Sequence, residues 1–230
     1  MRDAVTDTTS NAPAGLSGAM TMMFAVAGGL SVANVYYAQP LLGTMAGDFG
    51  ISPPSIGIVV TMTQIGYALG LIFITPLGDI LHRRRLIAAQ SLLLCVALAA
   101  VALAPTGGLF MAAMVAVGLL SVLVQTLIAF AAVLALPAAR GRTVGIVASG
   151  VVIGILCARF ISGLLSDIGG WRSVYLTSAI LTLLMAIALY RILPDHRESQ
   201  PKPHYWSLLR SIPVLFIENR CCAKKPAWPS

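Results

Sequence analysis

Six stretches of this chain run for about 18 residues or more with almost no charge, and that property constrains the fold more than any motif does. They cover approximately residues 16–45, 56–77, 86–103, 110–136, 143–165 and 173–193, and the only charges inside them are Arg159 and Arg191. A helix of about 20 residues, rising about 1.5 Å per residue, crosses a hydrocarbon core of about 30 Å. A membrane β-strand would instead alternate apolar and polar residues over about 10 positions. With 58% hydrophobic and 10% charged residues, the chain cannot cover itself with a water-soluble surface. The expectation is an all-α membrane protein with six transmembrane helices. The first run is far longer than a signal-peptide core and lacks a clear basic region before it, so it reads as a retained helix.

Charge sets the expected topology. Arg83, Arg84 and Arg85 lie between runs two and three, Arg140 and Arg142 between four and five, and Arg191, Arg197, Lys202 and Arg210 at or after the end of run six. The odd-numbered loops carry only Arg172, so the even loops and both termini should face the cytoplasm. The net charge of +7 is thereby explained without a nucleic-acid partner, since the basic residues form no patch interleaved with aromatics. The expected divisions are a cytoplasmic tail at 1–15, a six-helix bundle at 16–194 and a cytoplasmic tail at 195–230 that becomes atypical from about residue 218.

The chain also echoes itself. "LGDILHRR" (77–84) ends run two and "LSDIGGWR" (165–172) ends run five, each with Leu, a small residue, Asp, Ile and then arginine. Three spans separate the copies, which puts them at opposite membrane faces, as an inverted 3+3 repeat requires.

These residues lead to a resemblance. "TPLGDILHRR" (75–84) is similar to the G-x-L-A-D-R-x-G-R-R signature between helices two and three of the major facilitator superfamily; Asp79, Arg83 and Arg84 match, while Thr75, Ile80 and His82 depart. "ANVYYAQPLL" (33–42), "TQIGYALG" (63–70) and "PLGD" (76–79) resemble stretches of bacterial drug- and metabolite-efflux members. In "GVVIGILCARFISGLLSDIGGWR" (150–172), Ala158 and Arg159 stand where antiporter-type members carry Gly-Pro. The resemblance covers residues 16 to about 193. It implies the N-terminal half of a twelve-helix, secondary-active exporter of small molecules in a bacterial cytoplasmic membrane. It also implies that Asp79, Arg83 and Arg84 act as a gating latch between the two halves.

Read from spacing alone, Asp79 and Arg83 are four apart and can pair on one helix face; orientation by positive charge is the plainer reading. Arg159 lies six residues, roughly 9 Å, inside the end of run five, where it can snorkel or project into a water-filled cavity towards a polar or anionic substrate group. Asn34, Tyr37, Gln39, Gln64, Tyr67, Gln125 and Thr126 are polar at membrane depth and should face protein or cavity, as substrate ligands or as interhelical hydrogen bonds. Gly66 and Gly70, and the ladder Gly150, Gly154, Ala158, Ser162, Ser166, read as helix-packing stripes.

His82, His196 and His204 lie at or beyond span ends without metal spacing, and Cys95, Cys157, Cys221 and Cys222 form no metal or redox motif. Neither an enzyme, a metal site nor a cofactor is expected, and the partners are the lipid bilayer and a small-molecule substrate. The tail "ENRCCAKKPAWPS" (218–230) loses hydrophobic period and reads as a truncated or frame-disrupted product, inactive alone for want of a C-terminal half. The alternatives are a half-sized carrier that pairs with a second copy, or a non-transporting scaffold or channel subunit.

Overall fold

A computed structural model describes residues 16–50, Ser52 and 56–193, without the side chains of residues 79 and 80; the expected tails at 1–15 and 195–230 lie outside the described residues. Among the described residues all regular structure is helical: α1 (Gly18–Tyr36), α2 (Ala38–Phe49), α3 (Gly57–Phe73), α4 (Leu77–Ile80), α5 (Arg83–Ala102), α6 (Gly107–Ser121), α7 (Leu123–Leu134), a short 3-10 turn (Pro137–Ala139) and α8 (Arg140–Ile192). Among the described residues four segments are long and apolar enough to cross a membrane: Gly18–Phe49, Arg83–Ala102, Gly107–Leu134 and Pro137–Ile192. The difference from six has two local causes.

The first is α3, which at 17 residues stops short. Pro76 has no N–H to offer the carbonyl of Ile72, and the chain tightens ahead of it: Ile74 and Thr75 both donate to the Gly70 carbonyl, at 2.8 and 3.2 Å.

The second is α8, whose 53 residues would extend about 80 Å if straight. At Gly170 φ is 73°, a region closed to most side chains, and the helical path breaks there. Ser173 donates to the carbonyl of Leu165 at 3.0 Å, eight positions back, where a straight helix would separate the two residues by about 12 Å. The limbs before and after Gly170 both lie along α1: Gly150 and Gly154 meet Ala25 and Gly29, and Ser178 donates to Asn34. They therefore form an antiparallel hairpin.

The helices alternate in direction and leave two distinct ends. At one, Phe24 of α1 lies 6.0 Å from Phe130 of α7, whose ring is 6.0 Å from the guanidinium carbon of Arg83. At the other, Phe49, Phe110, Trp171 and Tyr175 form a chain of ring contacts with centroids 4.8 to 6.2 Å apart. Between them, Leu94, Leu98, Val101, Met114 and Val117 are fully buried, while Leu92, Leu93 and Val96 of α5 and Ile180, Leu184 and Ile187 of α8 point outward, as lipid-facing residues do.

Two helix pairs approach to backbone contact. A side-chain carbon at Gly66 would strike the Val115 carbonyl, one at Gly70 the Leu119 carbonyl, and one at Gly118 the Thr63 carbonyl, so α3 and α6 are interlocked through absent side chains. The same holds for α1 and α8, where Gly150 would strike Ala25 and Gly154 would strike Gly29. Ala158 and Ser162 continue that buried face on α8.

Arginines tie the helix ends. Arg84, in the first turn of α5, donates through Nε and Nη2 to the Tyr190 carbonyl near the end of α8, at 3.1 and 2.7 Å, and its guanidinium lies 4.7 Å from the Tyr190 ring. Arg172, just after the break in α8, donates to the Ala104 carbonyl beyond the end of α5 at 3.3 Å and lies 4.7 Å from the Trp171 ring. Each cation leaves the positive end of its own helix for the negative end of an antiparallel neighbour.

Gly118→Ala is expected to destabilise the detergent-purified protein by about 1–3 kcal/mol, as overpacking does. Gly145→Ala, on an exposed stretch of α8 with nothing within 4 Å, should leave it unchanged or slightly firmer. Thermal unfolding of the two variants side by side reads the difference.

Candidate functional site

The polar residues at membrane depth divide into two groups, because the helices that carry them are interrupted. Pro40 cannot donate to the carbonyl of Tyr36, and the junction of α1 and α2 falls there, with Tyr37 keeping helical angles (φ −58°, ψ −33°). The junction of α6 and α7 falls at Val122 without a proline. There, side chains from two other helices enter the backbone ladder: Ser31 of α1 donates to the Ser121 carbonyl at 3.1 Å, and Gln90 of α5 donates to the Leu120 carbonyl at 3.0 Å. Such insertions are a recognised cause of helix interruption.

Beside these junctions a cleft of ≈ 210 Å³ opens between α1, α3, α7 and the first limb of α8. Tyr36, Gln64, Tyr67 and Gln125 supply its polar groups, and Val32, Val35, Val124, Ile128, Val151 and Ile155 its apolar walls. Gln125 Nε2 donates to the Tyr67 hydroxyl at 3.4 Å. The lining thus offers two carboxamides and two phenols, able to donate and accept, and no charged group.

Asn34 and Tyr37 do not line this cleft. Asn34 is wholly buried and accepts from Ser178, and Tyr37 is 5% exposed. They face the second limb of α8, in a buried polar seam with the hydroxyls of Tyr175 and Thr182; those two hydroxyls and Asn34 Nδ2 have no hydrogen-bond partner among the described residues.

Gln39 and Arg159, about one helical turn beyond the cleft-lining Tyr36 and Ile155, are joined by Arg159 Nη2 donating to Gln39 Oε1 at 2.6 Å. The helix continues to Gly169, ten positions or about 15 Å beyond Arg159, while the apolar run ends six positions beyond it, at Leu165, ahead of Asp167.

Of the residues that the resemblance implies form a latch, Asp79 belongs to α4, but its side chain lies outside the described part of the structure. Arg83 faces Phe130 and Arg84 reaches Tyr190. Four features went unmarked in the sequence reading. Gln90 and Ser31 carried a usable signal, being polar groups within apolar runs. Tyr36 was passed over for its neighbour. The Asp48 carboxylate accepts from Trp171 Nε1 at 2.8 Å and pairs with Arg172 at 3.4 Å, and nothing local connects residues so far apart in sequence.

Comparison with known proteins places this arrangement. The family model described as Major Facilitator Superfamily matches residues 14–223. The chain is 43% identical over 205 residues to an uncharacterized transporter, YgaY, of Escherichia coli, covering 89% of this chain and 52% of that protein. It is 38% identical over 219 residues to a probable transporter of Streptomyces coelicolor, covering 92% of this chain and 51% of that protein. With the inner membrane transport protein YnfM of Escherichia coli it shares 27% identity over 213 residues, 87% of this chain and 51% of that protein. The chain thus spans about half the length of the curated relatives it matches.

Cysteines placed at Gln64, Gln125 or Val151 should react with a hydrophilic, membrane-impermeant maleimide in native membranes, in a background lacking the four native cysteines. Cysteines at Leu93 and Leu184, which face outward, should not react. Equal labelling at both sets would mean that the cleft is not a water-filled path.

Proposed function

Because the chain belongs to the Major Facilitator Superfamily, we propose that residues 16–194 form the N-terminal six-helix half of an efflux-type secondary transporter of small molecules. It sits in a bacterial cytoplasmic membrane with both termini in the cytoplasm. The observation that carries this reading is the cleft: polar groups converge at the interruptions of two membrane helices, where carriers bind their substrates. On this reading Gln64, Tyr67 and Gln125 contact the substrate.

Six spans follow if α3 with its terminal turns counts as one and the limbs of α8 as two. An inverted 3+3 arrangement then pairs α1–α2 with α6–α7, α3 with the first limb of α8, and α5 with the second. Three features support that pairing. Both α1–α2 and α6–α7 are interrupted part-way. The glycine contact of α3 on α6 has its counterpart in that of α8 on α1. Arg84 and Arg172, the arginines that end the two echoing motifs, make reciprocal bonds, each from the start of one of the paired helices to the end of the other.

A partner completes the carrier, either a C-terminal six-helix half or a second copy of this chain. The second-copy reading draws on the first limb of α8, where Leu156, Phe160 and Ile168 are 68 to 79% exposed on one apolar face. Cysteines at Phe160 should cross-link into a discrete dimer in membranes if copies pair there.

Transport is tested by loading cells with a broad set of metabolites and antibacterial compounds and comparing their retention with and without this chain, alone and co-expressed with the second half of the YgaY relative. Some compounds should be expelled faster by the wild type than by Gln125→Leu. Identical retention for every compound would remove the transporter reading.

A further inference from the structure

We propose that Arg159, held by Gln39, binds the negative end of the transported molecule, so that the substrates are small organic anions bearing a carboxylate or a phosphonate-like group. This rests on the cleft being the substrate path and adds the class of molecule that fits it.

A guanidinium within an apolar span must meet an opposite charge, water or strong acceptors. Arg159 has five N–H donors, and its side chain has one bonded partner among the described residues, the neutral carboxamide oxygen of Gln39. Among the described residues no carboxylate is paired with it. Asp48 is engaged by Trp171 and Arg172 just past the end of this limb, and Asp167 lies eight positions, about 12 Å, further along α8. The glutamine fixes one edge of the guanidinium and leaves the other free for a planar oxyanion, which arginine binds with two parallel hydrogen bonds.

Helical periodicity aims the residue. Ile155 and Val151, four and eight positions before Arg159, both line the cleft, and Gln39 follows Val35 and Tyr36, which line it from α1. The pair therefore caps the cleft on its own face. Below it the walls are neutral, with Tyr36 and Tyr67 and the carboxamides of Gln64 and Gln125. Such walls take a small uncharged body, flat or hydrogen-bonding, with the charge at one end. A cationic substrate would face Arg159 with no carboxylate in the cleft to offset it.

The test uses the full chain in lipid nanodiscs and matched probes: benzoate with benzamide, succinate with succinamide, and phenylphosphonate. Binding is read by calorimetry and by the shift in thermal midpoint. At least one anion should bind, with its neutral amide about tenfold weaker or worse. Arg159→Gln should weaken that anion about ten- to hundredfold, and Arg159→Lys should retain part of the binding. Gln125→Leu should weaken anion and amide alike. Amides binding as well as their anions, or anion binding unmoved by Arg159→Gln, overturn the anion site while leaving the cleft intact. Binding that ignores Gln125→Leu overturns the cleft reading instead. If no probe binds, the anion site fails, and the cleft stands or falls on the cysteine labelling. The wild-type comparison of anion with amide needs no variant to fold.

Discussion

A helix in hydrocarbon has no water to satisfy its backbone, so every break in its ladder must be repaired by the protein or opened to a cavity. Both kinds of repair occur here within one group of helices. At Val122 the freed carbonyls receive Ser31 and Gln90 from neighbouring helices, which makes the α6–α7 junction a fixed part of the core. At Tyr36 the carbonyl released by Pro40 belongs to a residue that lines the cleft. The cleft thus lies where the chain has already given up regular helix, and its polar lining is consistent with that loss of continuity.

Apolar side chains gain nothing by leaving lipid for one another, so association here depends on backbone proximity and polar ties. Gly66, Gly70 and Gly118 on one helix pair, and Gly29, Gly150 and Gly154 on another, let carbonyls approach to the distance at which dispersion between whole helices adds up. The arginines act at the ends, where each helix presents unpaired carbonyls. Arg84 and Arg172 each sit where their own helix dipole disfavours a cation, and each reaches a carbonyl at the end of a neighbour, where it is favoured. Their exposure to solvent keeps each tie modest, but they hold opposite ends of the same pair of antiparallel segments and so restrict sliding of one past the other.

Much of this was legible in the sequence, and what was not has identifiable physical causes. Apolar runs located the helices because the bilayer imposes a length and a polarity on them. The same runs placed the end of the first α8 limb at residue 165 rather than Gly169, since Asp167 interrupts the hydropathy while the backbone stays helical. Spacing grouped Gln64 with Tyr67, which share the cleft, and Asn34 with Tyr37, which share the buried seam. It could not tell one group from the other, because which face of a helix meets a cavity depends on neighbours distant in sequence. Gly118 was invisible for the same reason: its partner is the carbonyl of Thr63, on a different helix.

The direction of Arg159 is a consequence of packing rather than of its own preferences. Ala158 is 1% exposed and Ser162 is fully buried, and together with Gly150 and Gly154 they press one face of α8 against α1. That contact leaves the helix little freedom to rotate, because a turn would drive side chains into the backbone of Ala25 and Gly29. Arg159 follows Ala158 by one position, about 100° around the helix, and so is held off the packed face, on the row that carries Ile155 and Val151 into the cleft. Ala158 and Arg159 stand where the resemblance to antiporter-type members would put Gly-Pro, and a proline inside a helix removes a backbone donor. Here an uninterrupted helix carries the charge past the small-residue face, and the side chain meets Gln39.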